Sequence, residues 1–438
     1  MSTAIADRWG APVQAGGARA VGLLDDAVES LVTLSGDPVA EAEVAVAADD
    51  LLLGHVLRAY LSLYGTSPEG VANAVKILED LDHTAARVDE RELLHIRAAR
   101  AWSAGDWIGA ARALERALLH DARDLLALKV AQDLYFFLGY RLDLRDVAAR
   151  VLSSWSPGTP GWGYVQGIYA FGLEENADYR QAEAAGRSAL ASNPRDVWAV
   201  HALAHVFEME GRQREGVRFL SETAGDWSTS YFAIHNWWHR ALFHLDLGEF
   251  DEVLDLYDGP IRAGGSGEWL DLVDAAALLW RLSLFGVDVA DRAVELADAI
   301  EPLVGDPIYV FNDWHAVQAF GLAGRPDLIQ VVLTNNRRRS VGTNRAVVEH
   351  VGMALLEGFG SFAADQVDRA TDLLIDIRSV AHAVGGSHAQ RDIIDLTLIA
   401  AAARSGDAAL ANALVEERVA RKPSARASAR QLLEANGR

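Results

Sequence analysis

The stretch ADYRQAEAAGRSALASNP, residues 177–194, decides the fold class. Its aromatic residue Tyr179 is followed by small residues at Ala182, Gly186 and Ala189, and the stretch ends in proline. Steps of three and four residues place these positions on one face of a helix. Because small side chains on such a face let a second antiparallel helix approach closely, the pattern predicts one half of a tight helical hairpin.

The turn that precedes this helix recurs along the chain. Ala177 and Gly211 lie 34 residues apart, a period at which stacked helical hairpins repeat. Comparable turn glycines border other helical segments, at Gly105, Gly248, Gly324 and Gly406. Because strand signals are nearly absent and apolar residues recur at helical spacing, the sequence predicts an all-α fold, a right-handed α-solenoid of hairpins stacked side by side.

The N-terminal part of the chain fits the repeat pattern poorly. Residues 49–60 and 71–81 predict one helical hairpin in this part. We therefore expect two domains. Residues 1–90 form atypical helical hairpins packed on the solenoid, and residues 91–438 form the repeat solenoid, which ends in a polar capping helix.

Composition excludes several classes of function. The chain has 62 acidic and 40 basic residues and a formal net charge of −22, so its surface repels phosphate backbones and anionic membranes. It contains no cysteine, which excludes disulfides and zinc sites with sulfur ligands. No apolar stretch approaches the roughly 20 residues of a membrane span, and no secretory leader is evident. We expect a cytoplasmic protein without nucleic-acid or membrane partners.

Histidines gather on two of the predicted helices. The segment HALAHVFE starts at His201, and the segment HNWWH starts at His235. A helix turns by about 100° per residue, so His201, His205 and Glu208 share one face. His235 and His239 form a second pair with the same spacing. Polar, titratable groups on faces otherwise built for packing indicate a candidate site.

Two kinds of chemistry suit these residue types. His201, His205, Glu208 and His235 are candidate ligands of a divalent metal ion, the one cofactor that the residues suggest. His205, His235 and Glu208 are also candidates for acid–base catalysis, because histidine titrates near neutral pH and a carboxylate orients it. The alternative is that the histidines only make hydrogen bonds inside a packed interior. Whether the protein is an enzyme stays open.

Three phrases of the chain resemble a known family. HALAHVFEMEGR from His201, HNWWHRAL from His235 and SHAQRD from Ser387 are similar to the tetratricopeptide repeat protein 38 family. The segment from Asp49 to Tyr60 also resembles that family's N-terminal part. The resemblance implies a curved protein of tetratricopeptide-like helical repeats and no particular reaction.

The resemblance also implies which residues face the concave side of the repeats. The register is set by the turn glycines Gly211, Gly248 and Gly324. It places the following predicted ligand-binding residues on or beside the concave stripe: His201, His205, Glu208, His235, Trp238, His239, Trp314 and His315.

We interpret this stripe as the lining of a central pocket that binds a small molecule or a short peptide. Trp238 and Trp314 are expected to stack against the ligand, whereas Trp237 and Trp280 are expected to be packing residues. One alternative is an enzyme that uses a histidine-bound metal ion or a histidine acid–base pair on a small substrate. Another is a scaffold for protein–protein interaction. The oligomeric state does not follow from the sequence.

Overall fold

The computed structural model describes residues 3–81 and 88–437. It divides into two compact units, which we name by their order. The first unit comprises Met1–Leu203 and Gly225–Ala233, and the second comprises Ala204–Ala224 and Ile234–Arg438. The domain limit that we expected at residue 90 stays a prediction, and residues 82–87 beside it lie outside the described part of the chain.

Helices account for most of the described residues. A short β-hairpin comes first, formed by β1 (Thr3–Ala6) and β2 (Pro12–Ala15). The helices up to the middle of the chain are α1 (Ala18–Thr33), α2 (Pro38–Ala48), α3 (Leu52–Tyr64), α4 (Pro68–Leu81), α5 (Glu90–Ser103), α6 (Trp107–His120), α7 (Leu125–Phe137), α8 (Arg141–Val151), α9 (Trp162–Glu175), α10 (Tyr179–Ser192), α11 (Val197–Met209), α12 (Gln213–Glu222) and α13 (Ala224–Trp227).

The remaining helices follow without a described strand. They are α14 (Ala233–Asp246), α15 (Phe250–Leu256), α16 (Trp269–Leu284), α17 (Ala290–Ile300), α18 (Val310–Leu322), α19 (Pro326–Arg339), α20 (Gly342–Val347), α21 (Met353–Ala363), α22 (Val367–Ile377), α23 (His388–Arg404), α24 (Ala408–Arg421) and α25 (Arg426–Asn436). Short 3₁₀ or π turns lie at Leu152–Ser154, Tyr257–Ile261, Glu301–Leu303, Val348–Gly352, Ala381–Val384 and Pro423–Ala425.

The helical hairpins confirm the predicted all-α solenoid class. In the first unit α3 packs on α4, α5 on α6 and α9 on α10, and in the second unit α21 packs on α22 and α23 on α24. The predicted equivalence of two turns is also confirmed, because Ala177 (φ 61°) and Gly211 (φ 74°) are both left-handed. Glycine takes this conformation without steric cost, whereas alanine pays a Cβ penalty.

The N-terminal β-hairpin was not predicted. Its four-residue strands pair antiparallel, with Thr3 opposite Ala15, and are too short to give an alternating pattern. Tertiary contacts hold the hairpin in place. Arg91 on α5 donates to the carbonyl of Pro12 at 2.7 Å and forms a buried ion pair with Asp124 at 2.6 Å. Because these partners lie far along the chain, local sequence could not reveal the hairpin.

The C-terminal helix α25 belongs to the second unit, and its capping role stays a prediction. It packs on α23 and buries Ser428, Ala429 and Leu432, while most of its other residues are exposed or half-buried. Asn436 at its end donates to the carbonyl of Leu284 at 2.8 Å. A terminal helix with one apolar and one polar face is what a stack of hairpins needs where the repeats end.

Candidate functional site

Three histidines of the second unit converge. His205 lies on α11, and His235 and His239 lie one turn apart on α14. One ring nitrogen of each residue lies within 4.8 Å of the nitrogens of the other two. The ring centroids of His205 and His239 are 4.4 Å apart, and those of His235 and His239 are 4.8 Å apart. The structure therefore brings together three of the residues that the sequence suggested.

Each of the three rings has a polar partner close to its Nδ1 atom. For His235 this partner is Asp274, whose Oδ2 lies 2.7 Å away. For His205 it is Nε2 of His388, at 3.4 Å. For His239 it is Oε2 of Glu208, at 3.7 Å.

Glu208 stands beside the cluster as a charged group. The ammonium of Lys422 contacts Oε1 of Glu208 at 2.9 Å and Oδ2 of Asp246 at 2.7 Å. Burial alone raises the pKa of Glu208, but the Lys422 ammonium and His239 outweigh it and hold that pKa well below its usual range. Burial and the neighbouring His205 ring lower the pKa of His239 well below its usual range, so His239 is neutral at physiological pH.

The cluster is buried, which corrects the expectation of a solvent-reachable concave pocket. His205, His239 and Trp238 are 0% exposed, and His235 is 5% exposed. The turn register identified the correct faces of α11 and α14, but other helices cover them. Indeed, every residue from 197 to 208 of α11 is buried. A cavity beside Glu208 has a volume of about 10 Å³, which is the space of one water molecule.

Charged side chains of opposite sign line this cavity. Asp392 accepts two bonds from Arg418, at 2.8 and 2.6 Å, which outweigh burial and lower the pKa of Asp392 to about 2. Arg281 donates to the carbonyl of Ala389 at 2.7 Å, and burial lowers its pKa to about 10. Anions and cations thus balance, and the cavity does not select for a ligand of either charge.

The two tryptophans that were predicted to stack on a ligand are covered by protein instead. Trp238 stacks on His235 with centroids 5.2 Å apart, and Arg281 lies 5.3 Å above the Trp238 ring. Trp314 is 0% exposed and meets Phe359 edge to face at 5.2 Å. Their predicted exposure is therefore wrong.

The two predicted packing tryptophans differ from each other. Trp280 is buried, and its indole donates to the Thr397 hydroxyl at 2.9 Å, which confirms a packing role. Trp237 is only half-buried, and the guanidinium of Arg240 lies 5.5 Å from its ring.

His315 is not a member of the three-histidine cluster. His315 donates from Nδ1 to the carbonyl of Phe311 at 2.7 Å, and burial lowers its pKa to about 3, so it is a neutral core residue. His201 belongs to the first unit. There its ring lies 5.0 Å from Trp198 and 5.2 Å from Phe232.

Sequence reasoning missed Asp274, His388 and Lys422. His388 had a detectable signal, because it follows the capping residue Ser387, whose side chain accepts from the backbone N–H of Gln390 at 3.2 Å. Asp274 and Lys422 had no such signal. Lys422 lies 214 residues from Glu208 along the chain, a separation at which local patterns carry no information.

Comparison with known proteins adds little to this geometry. No family model matches the chain. A solved tetratricopeptide repeat protein from Parabacteroides merdae is 12% identical, with a TM-score of 0.34 over 70% of this chain and 99% of that one. Yeast Tom70 is also 12% identical, with a TM-score of 0.35 over 95% of each chain. Scores this low carry no argument, so the fold class rests on the hairpins themselves.

Proposed function

We propose that the second unit binds one divalent transition-metal ion through one ring nitrogen each of His205, His235 and His239. The observation that carries this proposal is the approach of one nitrogen from each ring to within 4.8 Å of the other two. Tetrahedral zinc with nitrogen ligands at about 2.0–2.1 Å requires nitrogens roughly 3.4 Å apart. Reaching that geometry requires the nitrogens to approach one another by up to about 1.4 Å.

The partners of the three rings support the proposal. Histidines that bind metals usually place their second nitrogen against a carboxylate or another polar group, which fixes the ring orientation and strengthens the ligand. Asp274 does this for His235 at 2.7 Å. Three imidazoles in an interior without thiols suit zinc, copper or nickel, and they suit magnesium or calcium poorly.

Burial supports a structural role for the metal. A catalytic metal keeps one coordination position open for a substrate, whereas these three rings are at most 5% exposed. An ion at this point would join α11 to α14, and its binding free energy would add to the stability of the fold. Glu208 and His201 stay predictions as further ligands.

The hypotheses of a small-molecule site, a peptide site, an enzyme and a scaffold have less support than a metal site. The cavity beside Glu208 holds about one water molecule, which is too little space for a small molecule or a peptide. Among the described residues, no helix is both long and apolar enough to cross a membrane. The tetratricopeptide repeat protein 38 family, the scaffold role, an enzymatic activity and a cytoplasmic location stay predictions.

Titration with Co²⁺ tests the proposal. In a tetrahedral site this ion absorbs visible light, so the absorbance reports both stoichiometry and geometry. We expect saturation at one equivalent in the wild-type protein and loss of the signal in His239→Gln. His315→Gln is the matched control, because it removes an equally buried histidine outside the cluster.

Two results would overturn the proposal. One is equal Co²⁺ binding by His239→Gln and His315→Gln, with folding of both variants verified by circular dichroism. The other is absence of tetrahedral absorption from wild-type protein that has been freed of metal and refilled with Co²⁺ in excess.

A further inference from the structure

An open groove runs along α5, α6 and α8 on the surface of the first unit. Its volume is about 790 Å³, within the range of roughly 300–1,000 Å³ for ligand-binding clefts. Four arginines line it, namely Arg97 from α5, Arg112 and Arg116 from α6, and Arg150 from α8. All four are exposed. Such a concentration of cations stands out in a chain with a net charge of −22.

The acidic residues of the groove are already engaged. Glu115 pairs with Arg150 at 2.7 Å. Asp106 begins α6, where its side chain accepts from the backbone N–H of Gly109 at 2.8 Å. In the described part of the chain, neither carboxylate forms an ion pair with Arg97, Arg112 or Arg116.

Arg112 and Arg116 lie side by side on α6. Residues four apart on a helix are neighbours, with Cβ atoms about 5–6 Å apart, and like charges at this spacing repel each other. An anionic partner relieves this repulsion and bridges the two guanidinium groups. Arginine also binds carboxylates through two parallel hydrogen bonds, which gives such a contact directional preference.

The groove also offers an apolar contact. Leu119, in the last turn of α6, is 73% exposed and lines the same cavity as the arginines. A single exposed leucine is ordinary. Its position among the four arginines nonetheless matches a ligand that combines carboxylates with one apolar side chain.

We infer that this groove binds an acidic peptide segment of a partner protein, with carboxylates on Arg112 and Arg116 and an apolar side chain on Leu119. The four arginines together with the exposed Leu119 favour a peptide over a small anion. The overall acidic charge of the chain disfavours a nucleic acid. The inference concerns the first unit and does not depend on the metal proposal.

Fluorescence anisotropy with synthetic peptides tests this inference. The probe is a labelled peptide that alternates glutamate and leucine, and its comparison peptide replaces each glutamate with glutamine. We expect the acidic peptide to bind the full-length protein, more weakly at high salt. The double variant Arg112→Gln/Arg116→Gln should weaken binding roughly tenfold or more. The matched control Arg180→Gln/Arg195→Gln makes the same charge change on exposed residues outside the groove and should bind like the wild type.

Each other outcome overturns the inference. Equal binding of the glutamine peptide would show that carboxylates are not recognised, and equal loss in both double variants would show only general charge attraction. Absence of peptide binding to the wild type would remove the proposed partner class. Tighter binding of a single-stranded oligonucleotide at the same arginines, or a dimer of the chain that Arg112→Gln/Arg116→Gln abolishes, would assign the groove to a different occupant.

Discussion

Replacing Lys422 with methionine removes a buried positive charge and keeps an apolar stem of similar length. In the wild-type protein the Lys422 ammonium contacts Glu208 at 2.9 Å and Asp246 at 2.7 Å. The side chains of Lys422, Glu208 and Asp246 are only 6%, 3% and 7% exposed, so solvent screens these pairs weakly. Lys422→Met therefore leaves two carboxylates in the interior without this counter-charge.

The size of the effect follows from this burial. Removing one partner of a buried ion pair costs about 3–5 kcal/mol, because the remaining charge stays desolvated. For a unit of this size each kcal/mol lowers the melting temperature by about 2–4 °C, so Lys422→Met should lower it by roughly 6–20 °C. The triple variant Lys422→Met/Glu208→Gln/Asp246→Asn also neutralises both carboxylates and should recover most of the loss.

The dependence on pH gives a second signature. The folded-state pKa of Glu208 lies below its ordinary value of 4.5. The ion pair therefore stabilises the fold above that value, and the stabilisation is lost as the pH falls through the folded-state pKa. The difference between wild type and Lys422→Met should be full at neutral pH and should shrink in acid.

Urea unfolding measured by tryptophan fluorescence checks both signatures. Lys76→Met is the control, because Lys76 is exposed on α4 and its replacement should change stability by less than about 0.5 kcal/mol. A loss below about 1 kcal/mol in Lys422→Met, or a loss that is the same at neutral and acid pH, would refute the reasoning.

Three further predictions concern packing, titration and metal binding. Gly172→Ala should destabilise the fold by about 1–3 kcal/mol, because the new Cβ would lie 2.5 Å from the Cα atom of Arg145. Its control Gly22→Ala adds a Cβ with nothing within 4 Å and should stabilise the fold by about 0.5–1 kcal/mol. The midpoints of urea unfolding distinguish the two variants. Burial and the neighbouring Asp7 raise the pKa of Asp25 to about 7, so ionisation destabilises the fold as the pH rises from about 4 to 7. Asp25→Asn should therefore gain about 1–3 kcal/mol relative to wild type at pH 8 and much less at pH 4, and a gain that is equal at both pH values would contradict this. Zinc at a hundred times its Kd should raise the free energy of unfolding by about 2.7 kcal/mol, measured by calorimetry against a sample with chelator. The wild type and His315→Gln should show this increase, and His239→Gln should not.

Most of the fold could be predicted from local sequence. The aromatic and small residues from Tyr179 onward predicted α10, and the turns at Ala177 and Gly211 predicted the hairpin borders, because backbone conformation and close helix packing depend on nearby residues. The β-hairpin of residues 3–15 was not readable. Its strands depend on Arg91, whose ion pair and carbonyl contact arise only after the chain has folded.

The candidate site could be predicted from the sequence only in part. The four-residue spacing placed His205 on one face of α11 and His235 with His239 on one face of α14, and these faces do meet. Solvent exposure was predicted wrongly, because helix periodicity shows which residues share a face and does not show what covers that face. Asp274 on α16 contacts His235 at 2.7 Å, and only the tertiary structure identifies that contact.

Anomalous X-ray scattering at the zinc absorption edge, from crystals of the full chain grown with zinc, tests the central claim most directly. We predict one strong anomalous peak between the rings of His205, His235 and His239, about 2 Å from one nitrogen of each ring. Crystals of His315→Gln should show the same peak. An anomalous map with no peak at this position, or with zinc only on surface residues, would contradict the claim that these histidines form a metal site.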